Sequence, residues 1–387
     1  MITNLRIKNF KSHGDTTLPL SNLNIFAGQN GVGKSSIFQS LLLLRQSYQK
    51  NRLSEGIDLN KPLCDIGRAE DALNQYAEDD IIEFDLTTSL YPNPLVWKFD
   101  AKNPKATFLD ALESVNHPLD NFSLFNTDFQ YLSAARLAPQ ESYDKDDYAV
   151  ERQRQLSLEK GQGELTAHFL NFYGKRERIA FANLKHLDNT QQNGKHLDNN
   201  EEDDYLLTQT TAWEREISQN VNVVVQELPT GKLEIRYQFN VPGNQPTKEF
   251  RAENVGFGIS YSLPIIVAVL SAKADAILLI ENPEAHLAPY AQSKLAGLIA
   301  LAAQSGVQIF VETHSDHILN GTLVSIRQHL SGGNGIAPEK VRMFYFDRAE
   351  DSHTARCTNI PITTNGRIQN MPKGFFDQYR NDIKALV

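Results

Sequence analysis

The chain has 387 residues, 41% of them hydrophobic, enough for one large globular module or two linked ones around a filled core. Its two cysteines, Cys64 and Cys357, lie far apart and without CxxC spacing, which argues against a disulfide framework or a zinc ribbon and suits a reducing, cytoplasmic setting. A formal net charge of -9 leaves nucleic-acid contact to a local basic patch or a groove between subunits, so DNA is an open partner and not one implied by composition.

The opening MITNLRIKNFKSH alternates polar and apolar residues, so no signal peptide is expected, and no run approaches the roughly 18 apolar residues of a membrane span. Ile2, Leu5, Ile7, Leu18 and Leu20 follow a period of two, and LNIFAG at 23–28 is a short apolar run ending in glycine, as a central strand should. A leucine-rich helix is predicted from about Ser35 through Leu44 and Arg45. Strands are predicted at 81–86 and 95–99, and FQYLSAARLAP at 129–139 closes a first part spanning 1–140.

From 141 to 235 an inserted region of helix and loop is expected. It opens with the charged ESYDKDDYAVERQRQ and contains, near 186–204, a polar acidic stretch that reads as a mobile surface loop. KHLDN occurs there twice, at 185–189 and 195–199, which reads as a tolerated insertion. His186 and His196 are expected to be solvated loop histidines and not metal ligands. Lys175, Arg176 and Arg178, interleaved with acids, are read as a solvated helix face in preference to a DNA contact. An amphipathic segment around Trp213 follows, then a hairpin turning at Pro229 to Lys232.

Within the last part, 236–387, the pattern after about residue 250 becomes helix, strand, helix, strand. SLPIIVAVLSA is predicted helical from near Ser260, with Pro264 in its first turn; AILLIE at 276–281 and VQIFVET at 307–313 are continuous apolar strands separated by the helix AQSKLAGLIALAAQ. Such strands imply a parallel sheet covered on both faces. The fold class is therefore α/β, with the charged section inserted within one α/β domain.

GQNGVGKSS at 28–36 fits G-x-x-x-x-G-K-[ST] at Gly28, Gly33, Lys34 and Ser35, after a strand and at the start of a helix. Chance would produce such a match about once in fifty chains of this length. In such a loop Gly31 and Gly33 let backbone N–H groups turn toward the phosphates of a nucleotide, Lys34 would bridge the β- and γ-phosphates, and Ser35 would hold Mg2+; Asn30 and Ser36 complete the candidate phosphate-binding loop. Glu281 ends an apolar strand, as a carboxylate serving Mg2+ would, and His314 follows the next strand, where an imidazole can sense the γ-phosphate or the attacking water. Gly256 and Gly258 precede a helix whose free N–H groups suit either an anion or plain capping.

With these pieces in this order, the chain resembles the ABC-type ATPase heads of the SMC-like and overcoming-lysogenization-defect (OLD) group, in a bacterial branch without a Toprim nuclease domain. LRIKNFKSHGDTTLPLSNLNIFAGQNGVGKSSIFQSLLLL resembles their N-terminal strands and P-loop, VGFGISYSLPIIVAV their signature motif, LLIENPEAHLAP their Walker B motif and D-loop, and VETHSDHIL their histidine switch. NGRIQNMPKGFFDQY is similar to the tail of that branch. The resemblance is weakest from about 141 to 235. It implies a P-loop NTPase with a mixed sheet flanked by helices and an inserted region. It also implies a homodimer or higher homo-oligomer that sandwiches ATP, with Gly256, Gly258 and Ser260 of one subunit reaching the γ-phosphate held by the other. Gln140 matches the glutamine that senses Mg2+ and water, and Arg136 is expected to face the phosphates. The chain departs from the pattern at Tyr261, where glutamine is frequent, and at Ala288, where an acid or histidine is usual.

It departs most consequentially at Asn282, which stands where a catalytic glutamate commonly follows the magnesium acid. An asparagine amide orients water but cannot take its proton, and a general base is worth about 10² to 10⁴ in rate. Slow hydrolysis is expected, with Glu284, or Glu312 beside His314, as the stand-in base. Three functions follow. The first is an ATPase whose slow cycle regulates a separate effector, such as a nuclease, in antiphage defence. The second is an SMC-like DNA-repair or DNA-bridging head, against which the lack of a long heptad-rich insertion counts. The third is a nucleotide-held scaffold with incidental turnover, which Asn282 favours.

Overall fold

The structure is a computed structural model that describes residues 1–387 except 116, 187–203, 349–353, 370, 371, 373, 374, 376–383, 385 and 387. The expected polar loop, with His196 and the second KHLDN, falls almost wholly outside the described residues, as does part of the C-terminal tail.

In chain order the elements are β1 (Ile2–Phe10), β2 (His13–Pro19), β3 (Leu23–Gly28), α1 (Lys34–Gln49), β4 (Gly56–Asp58), α2 (Ala69–Ala72), β5 (Ile81–Thr88), β6 (Leu95–Asp100) and β7 (Phe108–Glu113). There follow β8 (Phe129–Leu132), α3 (Thr166–Tyr173), α4 (Leu206–Ile217), β9 (Val221–Glu227), β10 (Leu233–Phe239), β11 (Phe250–Arg251), α5 (Phe257–Leu270), β12 (Ile277–Glu281) and α6 (Pro289–Gln304). The chain ends with β13 (Gln308–Glu312), α7 (Asp316–Leu330), β14 (Val341–Arg348) and β15 (Ala355–Ile360). Two compact units result. The first comprises Met1–Asn126, Gln308–Asp316 and Ala337–Val387; the second comprises Thr127–Val307 and His317–Ile336. The region 141–235 lies entirely within the second.

In the first unit an antiparallel sheet runs β2-β1-β5-β6-β7-β4. The period-two pattern of its strands works as expected, because Ile82, Phe84, Leu86, Trp97 and Phe99 all turn to one buried face. The P-loop strand β3 instead pairs in parallel with both β13 and β14, and β15 adds antiparallel to β14. A strand paired on both sides and covered on both faces is mostly apolar, and Leu23, Ile25, Phe26 and Ala27 are all buried, while the buried Asn24 is satisfied by bonds to Ser21. Phe26 lies face to face with Phe344 at 5.4 Å and with Phe310 at 6.2 Å, tying the three strands together. Behind them α1 buries Ile37, Phe38 and Leu41 to Leu44.

In the second unit β12 runs parallel to β8, and β9 and β10 form the predicted hairpin, closed by the Leu228 N–H to Lys232 carbonyl bond with Gly231 at φ 80°. Three expectations change here. Helix α5 begins at Phe257, earlier than Ser260, so Pro264 falls inside the helix, where its missing N–H removes the bond that would close on the Ser260 carbonyl. His186 is not solvated. It is 8% exposed, bonds Glu216 at 3.0 Å and meets Trp213 edge to face at 5.0 Å, because α4 presents both of those side chains on one face, three residues apart. Lys175, Arg176 and Arg178 lie in and after the turn that ends α3 and not on a helix face; Arg176 covers the Phe172 ring and Arg178 the Tyr205 ring. Among the described residues no helix is long and apolar enough to cross a membrane.

Candidate nucleotide site

The P-loop of the first unit is a backbone device. Gly28, Gly31 and Gly33 have φ of 141°, 73° and 100°, which a side chain would strain. At Gly28 a Cβ would also lie 2.1 Å from the Phe346 carbonyl oxygen, so only glycine lets β14 run so close. Gly33 is the N-cap of α1 with no side-chain cap, leaving the first N–H groups of the helix for an anion. Lys34 is 3% exposed and donates to the Gly28 and Gln29 carbonyls at 3.1 and 2.6 Å, curling over the loop. Ser35 Oγ donates to Glu312 Oε1 at 3.1 Å, and Lys34 Nζ lies 4.0 Å from the same oxygen. Asn30 is exposed, Ser36 is buried with its N–H on the Gly33 carbonyl, and His314 is exposed just past β13.

Two residues that the sequence did not single out brace this loop. His13, fully buried in β2, lies 2.9 Å from the Gly33 carbonyl through Nε2 and 2.9 Å from Thr16 Oγ1 through Nδ1. A carbonyl can only accept, so Nε2 carries the proton and Nδ1 takes the Thr16 hydroxyl. Burial lowers the His13 pKa, consistent with that neutral ring, while the Gly33 bond opposes the shift. Arg348, at the end of β14, donates to the Gly31 carbonyl at 2.5 Å. The signal for His13 was FKSH itself, a histidine just after the first strand, but nothing in the local pattern ties position 13 to position 33.

The second unit holds the other candidates. Glu281, ending β12, accepts from Tyr131 Oη and from the Ala134 N–H, each at 3.0 Å. Burial raises its pKa above the usual carboxylate range; the Ala134 N–H, Tyr131 and Arg136 act in the opposite direction. Asn282 has φ 43° and a buried Oδ1 without a hydrogen-bond partner among the described residues. It opens the turn that places Glu284, which is half-buried. Arg136, expected to face phosphates, is 3% exposed and donates to the carbonyls of Ser133, Glu281 and Asn282, each at 2.7 Å. Its role within this unit is to pin the end of β12. Burial brings its pKa down to about 10, which leaves it charged at neutral pH. The Gln140 amide turns back onto the Ala138 carbonyl at 3.0 Å.

Gly256 caps α5 and is exposed, with open space where a Cβ would stand; at Gly258 a Cβ would lie 2.9 Å from the His286 carbonyl oxygen. Ser260 Oγ is 3.5 Å from Tyr237 Oη. Gly256 and Gly258, with Phe239, Phe250, His286 and Leu287, line an open groove of about 660 Å³. The position 261 departure has a visible consequence: Tyr261 lies 4.4 Å from the His286 ring, which also neighbours the exposed Phe257 at 5.8 Å.

The first unit's donor set suits a hard divalent cation, because Ser35 and Glu312 offer oxygen only, and its glycine-built loop beside a buried lysine suits a phosphate chain. Another group that gathers like metal ligands, Asp147, Glu151 and His168, does not suit one. His168 Nδ1 accepts the Asp146 N–H at 3.1 Å, so the neutral ring carries its proton on Nε2, facing Asp147, and offers no lone pair there.

A sequence family described as "AAA domain, putative AbiEii toxin, Type IV TA system" matches residues 23–320, and one described as "Protein of unknown function (DUF3696)" matches 336–386. No curated protein matches the chain. Among solved structures it is similar to an SmcHead bound to the C-winged helix domain of ScpA, with TM-score 0.53 and 13% identity over 93% of this chain and 98% of that one. It is also similar to an Smc head domain with an extended coiled coil bound to the C-terminal domain of ScpA, derived from Pyrococcus furiosus. There the TM-score is 0.50 and the identity 12%, over 100% of this chain and 99% of that one. At these identities the likeness is one of fold, the expected α/β class with sheets flanked by helices.

Proposed function

The chain belongs to that AAA-domain family, and from this premise we propose that it is an ATP-driven switch: it binds ATP with Mg2+, hydrolyses it slowly, assembles head to tail with further copies around the nucleotide, and regulates a separate effector, such as a nuclease, in antiphage defence. The observation that carries the reading is the braced P-loop, with Lys34 curled over its carbonyls and Ser35 on Glu312. Gly28 to Ser36 hold the phosphates, Ser35 and Glu281 serve the cation, and Gln140 and His314 sense its water and the γ-phosphate. Bound Mg2+ supplies charge neutralisation at the phosphates.

Slow turnover follows from Asn282, whose amide orients water without accepting its proton. Glu284 is the proposed base, reached by the turn that Asn282 opens. Gly256, Gly258 and Ser260 are the groups offered to the nucleotide of another copy. The same Asn282 favours the scaffold reading, in which ATP fixes the assembly and turnover is incidental.

Steady-state and single-turnover hydrolysis by wild type, Lys34→Ala and Glu284→Gln separates the two. The switch reading expects slow wild-type turnover, background activity in Lys34→Ala, and a loss of about 10²-fold in Glu284→Gln with ATP-dependent assembly kept. Equal inertness of wild type and Glu284→Gln, with assembly still set by ATP, hands the protein to the scaffold reading.

A further inference from the structure

Glu214 of α4 is wholly buried, and its carboxyl oxygens both lie 3.1 Å from Ser262 Oγ of α5. The same Oγ stands 3.0 Å from the Gly258 carbonyl and 3.1 Å from the Ile259 carbonyl, one turn back along α5. A hydroxyl has a single proton to give. When Ser262 gives it back to its own helix, the bond across to α4 is completed by a proton on the Glu214 carboxyl. Burial pushes that carboxyl well above its ordinary range, the Ser262 contact opposes the shift, and the described residues offer it no cation.

Neighbouring positions repeat the arrangement. Tyr237 of β10, also wholly buried, reaches Ser260 Oγ at 3.5 Å. Pro264 deprives the Ser260 carbonyl of its helical donor, so the first turns of α5 are secured less by their own ladder than those of an unbroken helix. The side chains of its first turns are instead held from outside the helix, Ser262 Oγ by Glu214 of α4 and Ser260 Oγ more loosely by Tyr237 of β10. Gly256, by contrast, has open space around it and depends on the helix behind it for its position.

We propose that Glu214, acting through Ser262, is a positioning residue that sets the first turn of α5 so that Gly256, Gly258 and Ser260 can meet a nucleotide carried by a second copy. This rests on the ATP-held assembly proposed above. Glu214 touches neither phosphate nor water; it acts on the geometry of the groups that do.

The test measures two quantities for wild type, Glu214→Gln and Glu214→Ala: Mg-ATP affinity of the single chain, by titration with a fluorescent ATP analogue, and the ATP concentration that drives assembly, by mass photometry. The amide of Glu214→Gln can donate to Ser262 as a protonated acid does, so its assembly stays within about twofold of wild type. Glu214→Ala raises the assembly midpoint about tenfold or more while single-chain affinity stays within about twofold. Should Glu214→Ala not fold, Ser262→Ala removes the same bond from its other end with the loss of one atom and carries the same expectation. Assembly unchanged in Glu214→Ala and Ser262→Ala, or lost in step with nucleotide affinity, overturns the positioning role and leaves the function standing. A wild type that ignores ATP overturns both together.

Discussion

The two helix starts that face the proposed nucleotide chemistry are built on opposite plans. At α1, Gly33 sits in left-handed backbone with its carbonyl held by His13, and a Cβ there would meet Ser12 Oγ at 2.2 Å. At α5, Gly256 is in ordinary extended backbone and its missing Cβ faces open space. The first glycine is demanded by its own chain. The second is not, and the space in front of it leaves room for the approach that the proposed assembly needs. One end is a finished cradle; the other is an open surface, which the proposed assembly would cover.

The sharpest way to break this comparison is to add the same methyl group to both. Gly33→Ala should destabilise the fold by about 2 kcal/mol or more, from overlap with Ser12 and from left-handed backbone, and should abolish ATP binding; denaturant unfolding and nucleotide titration check both. Gly256→Ala should move stability by less than about 0.5 kcal/mol and leave ATP affinity intact while weakening ATP-dependent assembly. Equal stability losses at the two positions would remove the distinction.

A smaller effect is expected in the pH dependence. His13 is held neutral in the folded chain, with its pKa below the ordinary 6.5. Above pH 6.5 neither folded nor unfolded chain is protonated there and the contribution to stability is complete. As pH falls through 6.5 the unfolded chain takes up a proton that the folded one refuses, so stability declines until the buried ring itself protonates. His168, lowered by burial as well, adds to the decline. Denaturant unfolding from about pH 7.5 to about 5.5 should show the slope, and His13→Gln should flatten part of it. An unchanged slope would place the acid sensitivity elsewhere.

The P-loop, the strands around it and the hairpin at 221–239 were legible because each is a local pattern: glycine spacing, apolar runs, alternation across a turn. The braces were not. His13 and Gly33 lie 20 positions apart, Arg348 and Gly31 lie 317 apart, and Glu214 and Ser262 lie 48 apart. No periodicity links such pairs; only the fold brings them into contact. Arg136 shows the converse, since a cation near an expected phosphate site is drawn toward the ligand on paper, whereas carbonyls at the end of β12 accept from both of its terminal nitrogens. The start of α5 was misplaced because Pro264 invited a first-turn assignment, while the apolar packing of Ile265 to Leu270 carries the helix back to Phe257 through it.

The account turns on whether ATP completes the open end with a second copy of the chain. Mass photometry of the wild-type protein in Mg-ATP, against the same protein without nucleotide and against Lys34→Ala in Mg-ATP, measures this directly. The account predicts that Mg-ATP shifts the wild type to at least twice the single-chain mass and leaves Lys34→Ala unmoved. A wild type that binds ATP yet keeps the same mass with and without it would contradict it.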